Sequence, residues 1–349
     1  MLSRAIQKSS KKRYISAVKL LLKDRRADPT VLSRAIQKSS KKGYTSAVKL
    51  LLKDGRADPT ADDDYAIAKS SENGHANVVK LLLADGRADP TADNSWPIVI
   101  SSLNGHADVV RLLLADGCAD PTAADGWGID NQAIRESSEQ GHADVVQLLL
   151  ADERADPAED NNYALRMSCK DGHTDIVRLL LSDGRADPAA DNNYALRMSC
   201  EWGHTDVVRL LLSDGRAGPA ADNNHVLRMS CAVWQADIVQ LLLADGRADP
   251  TAKNNYAIQH SSCGGDTDVV KVLLDDGRAD PTARDNYAIQ SSCRNGHTDV
   301  VKLLLADPRV DPTADDNYAI WTSSYNRHAD VMKLLLADGR VDPRRTTVF

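Results

Sequence analysis

Apolar positions recur along the chain at a fixed spacing. A run of three apolar residues, most often Leu-Leu-Leu, begins at residues 20, 50, 81, 112, 148, 179, 210, 241, 272, 303 and 334. The interval is 30 residues once and 31 thereafter, except for one interval of 36. Repetition at such a period is typical of stacked supersecondary units. The pattern predicts a single array of eleven repeats over residues 1–349, with a five-residue insertion within residues 123–133.

The tenth unit, "DNYAIQSSCRNGHTDVVKLLLADPRVDPTA", indicates which elements each repeat forms. Asp285 or Asn286 is predicted to cap a first short helix, and Gly296 to end it in the left-handed conformation. A second helix is predicted over residues 298–306, because apolar side chains cover most of its circumference. An Asp-Pro pair then favours extended backbone. Each repeat is therefore predicted to be a helix, a turn, a helix and a loop.

The second half of the repeat resembles a known family. "GHADVVRLLLADGCADPTAADG" is similar to the second helix and hairpin of an ankyrin repeat, with its Gly-His, Val-Val-x-Leu-Leu-Leu and Gly-Ala-Asp elements. "YAIQSSC" takes the place of the family's Thr-Pro-Leu-His-x-Ala-Ala segment. The resemblance extends over all eleven units and implies an all-α, ankyrin-like helix-turn-helix solenoid. Because the period is 31 residues and the family's is about 33, short or irregular hairpin loops are expected.

Composition narrows the class of protein. The single Phe is the last residue, and Leu, Val, Ile and Ala supply most of the apolar content, which suits many thin layers. No apolar run approaches the roughly 18 residues of a membrane span, and the first residues lack the apolar core of a secretory signal. Six cysteines are too few for a disulfide framework in 349 residues. These features predict a cytoplasmic protein, with the nucleus as the alternative.

Charge is distributed unevenly. Residues 1–60, a pair of nearly identical repeats, carry 16 Lys and Arg against 4 Asp, a net charge of +12. Residues 61–349 carry a net charge of −19. A basic end attracts phosphates, so one hypothesis is that these repeats dock on nucleic acid or anionic membrane. The simpler interpretation, which we favour, is a solvated, lysine-rich surface.

The repeated histidines do not predict a metal site. Consecutive copies lie one repeat apart, about the 8–10 Å of packed helices, whereas zinc needs ligand nitrogens about 2.0–2.1 Å from one ion. The resemblance implies that this histidine hydrogen-bonds the local backbone. The seven copies are His75, His106, His142, His173, His204, His297 and His328.

Cysteines and aspartates also give no sign of catalysis. Four cysteines share one repeat position, and disulfides need Cα atoms within about 7 Å, which is less than the pitch. The Asp-rich loops lack the spacing of a calcium-binding loop. No phosphate loop, nucleophile elbow or zinc-protease motif is present. The sequence therefore predicts no enzyme activity, cofactor, metal or small-molecule substrate. The four cysteines are Cys169, Cys200, Cys231 and Cys293.

Residues that differ between repeats are the candidates for function. The resemblance implies binding on the hairpin tips and the exposed side of the first helix, and exposed aromatics are favoured anchors. Two alignments of Trp127 remain open: it continues an aromatic ladder, or it lies on a projecting finger formed by the insertion. The candidate partner-binding residues are Trp96, Trp127, Glu139, Trp202, Trp234, Arg294 and Tyr325.

The preferred hypothesis is a non-enzymatic scaffold that binds a partner protein of unknown identity through its variable concave face and acidic middle. Residues 217–237 form the most irregular junction, where Trp234-Gln235 replaces Gly-His. Loss of the glycine predicts a weakened turn between the two helices there. Such irregularity leaves a further alternative, a decaying repeat array without a selected partner, which would not fold cooperatively.

Overall fold

The fold is all-α and repetitive. A computed structural model describes residues 11–341, and within that range it contains 21 helices and no strand. The expected ankyrin-like solenoid of helix pairs is confirmed. The helices are α1 (Lys11–Lys23), α2 (Pro29–Lys41), α3 (Thr45–Asp54), α4 (Ala61–Glu72), α5 (Ala76–Asp85), α6 (Ala92–Leu103), α7 (Ala107–Asp116), α8 (Gln132–Glu139), α9 (Ala143–Asp152), α10 (Glu159–Lys170), α11 (Thr174–Asp183), α12 (Ala190–Glu201), α13 (Thr205–Asp214), α14 (Ala221–Ala232), α15 (Ala236–Asp245), α16 (Ala252–Gly264), α17 (Thr267–Asp276), α18 (Ala283–Asn295), α19 (Thr298–Ala306), α20 (Ala314–Tyr325) and α21 (Ala329–Asp338).

The described chain divides into two compact units. The first comprises residues up to 168 together with 173–187, and the second comprises residues 169–172 together with those from 188 onward. Even-numbered helices are the first helices of repeats, and odd-numbered helices are the second. Within each unit, first helices pack on first helices and second helices on second helices of the next repeat. A layer inside either unit is therefore covered on both sides, as a solenoid requires.

Each layer of the core is thin and aliphatic. In α19, Val300, Val301 and Leu304 are fully buried. They pack with Ile289 of α18 and Ile320 of α20 in one cluster. The predicted bounds of this second helix, residues 298–306, are confirmed. Its regular apolar periodicity explains why sequence alone located it.

The start of the first helices differs from expectation. In α18, Arg284, Asp285 and Asn286 have φ values of 55°, 54° and 61°, which is one turn of left-handed backbone. Neither acidic nor amide side chain caps the helix. Instead, Asn286 Oδ1 accepts a hydrogen bond from Asp311 N of the next repeat, at 2.8 Å. The capping prediction was wrong because Asn286 Oδ1 is bonded to the amide of a loop 25 residues later and not to an amide of its own helix.

The same left-handed turn recurs in both units. Asn and Asp adopt positive φ more readily than other residues with a Cβ, which explains why this stretch is rich in them. The third residue of the turn is buried, and its side-chain oxygen accepts from the loop amide of the next repeat. The pairs are Asp64 with Asp89, Ser95 with Asp120, Asn131 with Asp156, Asn162 with Asp187, Asn193 with Gly218, Asn224 with Asp249, Asn255 with Asp280, and Asn286 with Asp311.

Candidate partner-binding surface

The histidine ladder joins neighbouring repeats. His106 Nε2 lies 3.0 Å from Glu72 O, a carbonyl 34 residues earlier, at the end of the preceding first helix. The expectation of a hydrogen bond to the local backbone was wrong, because the ring reaches a carbonyl of the previous repeat. In the irregular repeat, Gln235 Nε2 donates to Glu201 O in the same way. These side chains are therefore occupied by scaffold contacts.

The glycine before each histidine has a steric reason. Gly74 has φ of 70°, and a Cβ placed there would lie 2.7 Å from His106 Nδ1 of the next repeat. Both the positive φ and the close approach of the imidazole exclude a side chain. The Gly-His pair is thus one packing device, in which each glycine accommodates the following histidine.

An arginine ladder, which the sequence analysis did not predict, also joins neighbouring repeats. Arg278 forms an ion pair with Asp276, donates from Nη1 to Ala248 O at 3.1 Å, and donates from Nη2 to Leu243 O at 3.0 Å. The "GRADP" arginine therefore ties the end of its second helix to the preceding repeat. In nearly every repeat this arginine follows an aspartate two residues earlier, and that recurring pair could have predicted the ladder from the sequence.

Cys118 interrupts this ladder, and a substitution there tests it. We expect Cys118→Arg to raise the free energy of unfolding by about 1 kcal/mol, a typical net value for added hydrogen bonds. The guanidinium would reach Ala88 O, to which no described residue donates, and would pair with Asp116. Thermal unfolding measures the effect. Cys118→Ser is the control, and an arginine variant no more stable than the serine variant contradicts the prediction.

The cysteine ladder is structural. Cys200, Cys231 and Cys293 are fully buried and unpaired. Burial raises the pKa of the Cys200 thiol to about 12, which keeps it protonated and unreactive at neutral pH. Within residues 11–341, no group of three or more His, Cys, Asp or Glu is arranged to hold a metal ion.

The insertion forms a closed finger that carries Trp127. Asp125 Oδ1 accepts from Trp127 N and Ile129 N, and Asp125 Oδ2 pairs with Arg135 Nη1 at 3.0 Å. Burial acts to raise the pKa of Asp125, but these hydrogen bonds outweigh it and lower that pKa. Asn131, rather than Trp127, is aligned with the left-handed turn of other repeats. Trp127 therefore lies outside the aromatic ladder, and its side chain is 91% exposed.

Trp202 and Trp234 lie at turns between the two helices of their repeats. They are 60% and 62% exposed. Trp234 occupies the glycine position with φ of 64°, and the next repeat carries Asp266 where a histidine would otherwise press on it. A Cβ on Gly264 would lie 3.4 Å from Trp234 Nε1, so the indole covers the following turn. Trp234 therefore replaces the usual glycine at a place where the next repeat has Asp266 instead of the histidine that would contact it.

Tyr325 belongs to an aromatic group on α20, and Arg294, near the end of α18, lies against that group. The Arg294 guanidinium lies 5.8 Å from the Tyr318 ring centroid. Trp321 stacks on Tyr325, with centroids 5.6 Å apart, and lies 5.5 Å from Tyr318. Tyr325 is 68% exposed. Sequence reasoning missed Trp321, although the spacing of i, i+3 and i+7 places the three rings on one helix face.

The remaining two candidates are less exposed. Trp96 is half-buried at the start of α6, where it borders an open cleft of about 560 Å³ with Tyr65. Glu139 is half-buried at the end of α8, and its Oε2 accepts a hydrogen bond from Tyr163 Oη at 2.7 Å. Burial, followed by this hydrogen bond, raises the pKa of Tyr163. Glu139 is therefore engaged within the protein.

A family profile described as ankyrin repeats (3 copies) matches residues 32–125, 132–225, 227–316 and 258–347. These matches cover most of the sequence. The chain belongs to the ankyrin repeat family. Ankyrin repeats are generally protein–protein interaction modules, and ankyrin repeat proteins are typically non-enzymatic scaffolds. No curated protein matches the chain. None of its described helices is long and apolar enough to cross a lipid bilayer.

Proposed function

We propose that this ankyrin repeat protein is a non-enzymatic scaffold that binds a partner protein through the variable face of its first helices and through the Trp127 finger. In ankyrin arrays the first helices line the concave face. The acidic net charge of residues 61–349 favours a partner with a basic surface. One observation carries the proposal: side chains repeated in most units are engaged in contacts between repeats, whereas the large exposed aromatics occur where repeats differ.

The repeated polar groups are already in use. The side chains of His106, Arg278 and Asn286 each form a hydrogen bond with a neighbouring repeat. They are therefore scaffold. The side chains of Trp127 and Trp202 make no hydrogen bond or ring contact with another described residue, and exposing large aromatic side chains to water is unfavourable. Burial against a partner removes that cost, which is why aromatic side chains are enriched at interfaces.

The experiment compares the intact chain with two variants in quantitative affinity capture. We expect Trp127→Ala and Trp202→Ala each to reduce the recovery of specific partners about tenfold or more, as removal of an interface anchor typically does. Both side chains are exposed, so the fold should be unaffected. Leu336→Ala is the control, since Leu336 is an exposed apolar residue on a second helix, α21. Identical recovery by all four proteins overturns the proposal.

The basic end favours a second candidate function, docking on nucleic acid or anionic membrane. Four basic residues of α2, α3 and the turn between them are exposed: Arg34, Lys41, Lys42 and Lys49. If this end binds phosphates, affinity for duplex DNA or anionic vesicles should fall steeply between about 50 and 200 mM salt. Deletion of residues 1–60 should abolish it. If binding of the partner changes neither with salt nor with this deletion, docking through the basic repeats is excluded.

A further inference from the structure

Two departures from the repeat pattern line one cleft in the second unit. Gly218 stands where every other loop in the described chain carries aspartate, and His225 stands where the neighbouring first helices carry tyrosine. The cleft has a volume of about 390 Å³. It is lined by Asn192, Asn193, Arg197, Gly218, Ala221, Asp222, His225 and Val226. An equivalent cleft of about 560 Å³ borders Trp96 in a repeat that keeps its loop aspartate, Asp89. The cleft in the second unit therefore differs in its chemistry rather than in its existence, because it alone of the two carries Arg197, Gly218 and His225.

The missing aspartate leaves a backbone donor without an acceptor. In the next repeat, Asp249 Oδ1 accepts a hydrogen bond from Thr251 N at 2.8 Å, and Asp280 Oδ1 does the same for Thr282 N at 2.9 Å. Gly218 has no side chain to do so. No described residue accepts from the equivalent amide, Ala220 N. A carboxylate that these repeats supply internally is therefore absent beside the cleft.

The cleft also contains a cation without a polar partner. The guanidinium of Arg197 lies 5.7 Å from the Tyr194 ring centroid, and among the described residues it makes no hydrogen bond or ion pair. In the following repeat, Arg228 donates to Asn223 O and Asp222 O. A guanidinium presents five donors in a fixed plane that matches a carboxylate. The N–H donors of Arg197 are therefore available to a ligand.

The other charge in the cleft limits what it accepts. Asp222 Oδ2 lies 3.8 Å from His225 Nδ1, and the Asp222 side chain is largely exposed. With one arginine and one aspartate facing the same space, the cleft suits a monoanion. The Asp222 carboxylate repels a phosphate dianion about twice as strongly as a carboxylate, whereas the single charge of Arg197 balances one negative charge.

We propose that this cleft binds a carboxylate side chain, glutamate or aspartate, presented by the partner protein. The ligand carboxylate takes the role that the loop aspartate plays in other repeats, with Arg197 and Ala220 N as donors. The inference rests on the proposed scaffold function and names one chemical group that the partner must carry.

Sodium acetate is the probe, and amide and arginine resonances of the isotopically labelled full chain are the readout. We expect acetate to shift the Ala220 amide and the Arg197 Nε–H signals in a saturable way, with sodium chloride at equal ionic strength as the reference. Inorganic phosphate should bind more weakly. A shift that does not saturate, or tighter binding of phosphate, overturns the proposal.

Three variants assign the acetate binding to the cleft. Arg197→Gln should weaken it about tenfold or more, as expected for loss of a charge-assisted hydrogen bond. Gly218→Asp should abolish it, because the protein then supplies its own carboxylate. A Cβ on Gly218 meets nothing closer than Asn193 Oδ1 at 3.4 Å, so this variant should fold. Arg209→Gln, an exposed arginine on α13, should bind like the parent chain.

The outcomes separate this inference from the proposed function. If acetate binds but Trp127→Ala and Trp202→Ala capture the same partners as the parent, the cleft stands and the proposed surface fails. If acetate does not bind while the tryptophan variants lose partners, the surface stands and the cleft fails. Equal acetate affinity of the parent and Gly218→Asp also rejects the cleft.

Discussion

Gly74→Ala is expected to destabilise the first unit by about 3 kcal/mol. A residue with a Cβ pays about 1 kcal/mol for the left-handed φ of 70°. The added Cβ would lie 2.7 Å from His106 Nδ1, so the imidazole must move and its hydrogen bond to Glu72 O is lost. Thermal unfolding gives the overall effect, and hydrogen exchange of α5 and α7 shows whether the loss is centred on this contact.

Gly86→Ala is the matched control. Gly86 has φ of 75°, yet a Cβ there meets nothing within 4 Å. It should therefore cost only the backbone penalty of about 1 kcal/mol. Adding His106→Ala to Gly74→Ala should recover part of the loss, because the clash is removed. If the two single glycine variants are equally unstable, the histidine contact is not the reason for the glycine.

Asn255→Ala is expected to destabilise the second unit by a similar amount, about 3 kcal/mol. Asn255 is 9% exposed and has φ of 60°, and its Oδ1 accepts from Asp280 N at 2.7 Å. Alanine removes the acceptor from a partly buried amide, at about 1–3 kcal/mol, and adds the cost of positive φ. The midpoint of denaturant unfolding measures the loss.

The neighbouring residue separates the two contributions. Asn254 has φ of 59° in the same turn, but its side chain is exposed and makes no hydrogen bond among the described residues. Asn254→Ala should therefore cost about 1 kcal/mol. Asn255→Ser should be milder than Asn255→Ala, because Ser95 Oγ accepts the equivalent loop amide at 3.1 Å. Equal losses for both alanine variants would show that the bond between repeats contributes little.

The sequence by itself determined the repeat, its period and its second helices. The apolar residues of α19 recur at helical spacing, so their burial follows from local pattern alone. Gly296 was placed correctly at the end of α18 for the same kind of reason, since its positive φ is a local requirement. The argument that the repeated histidines cannot share one metal ion also used only the spacing between repeats, which is much longer than a metal–nitrogen bond.

Only the tertiary structure decided the roles of the polar residues, because their partners lie in another repeat. The side chain of Asn286 is one that often caps helices, but its Oδ1 instead accepts a hydrogen bond from the loop amide of Asp311, 25 residues later. The His106 ring reaches a carbonyl 34 residues earlier. Trp127 fitted two alignments equally well until Asn131 was seen to bind Asp156 N, which leaves the tryptophan on the finger. Local propensity fixes what a side chain can do, and stacking of the repeats selects which of those contacts it makes.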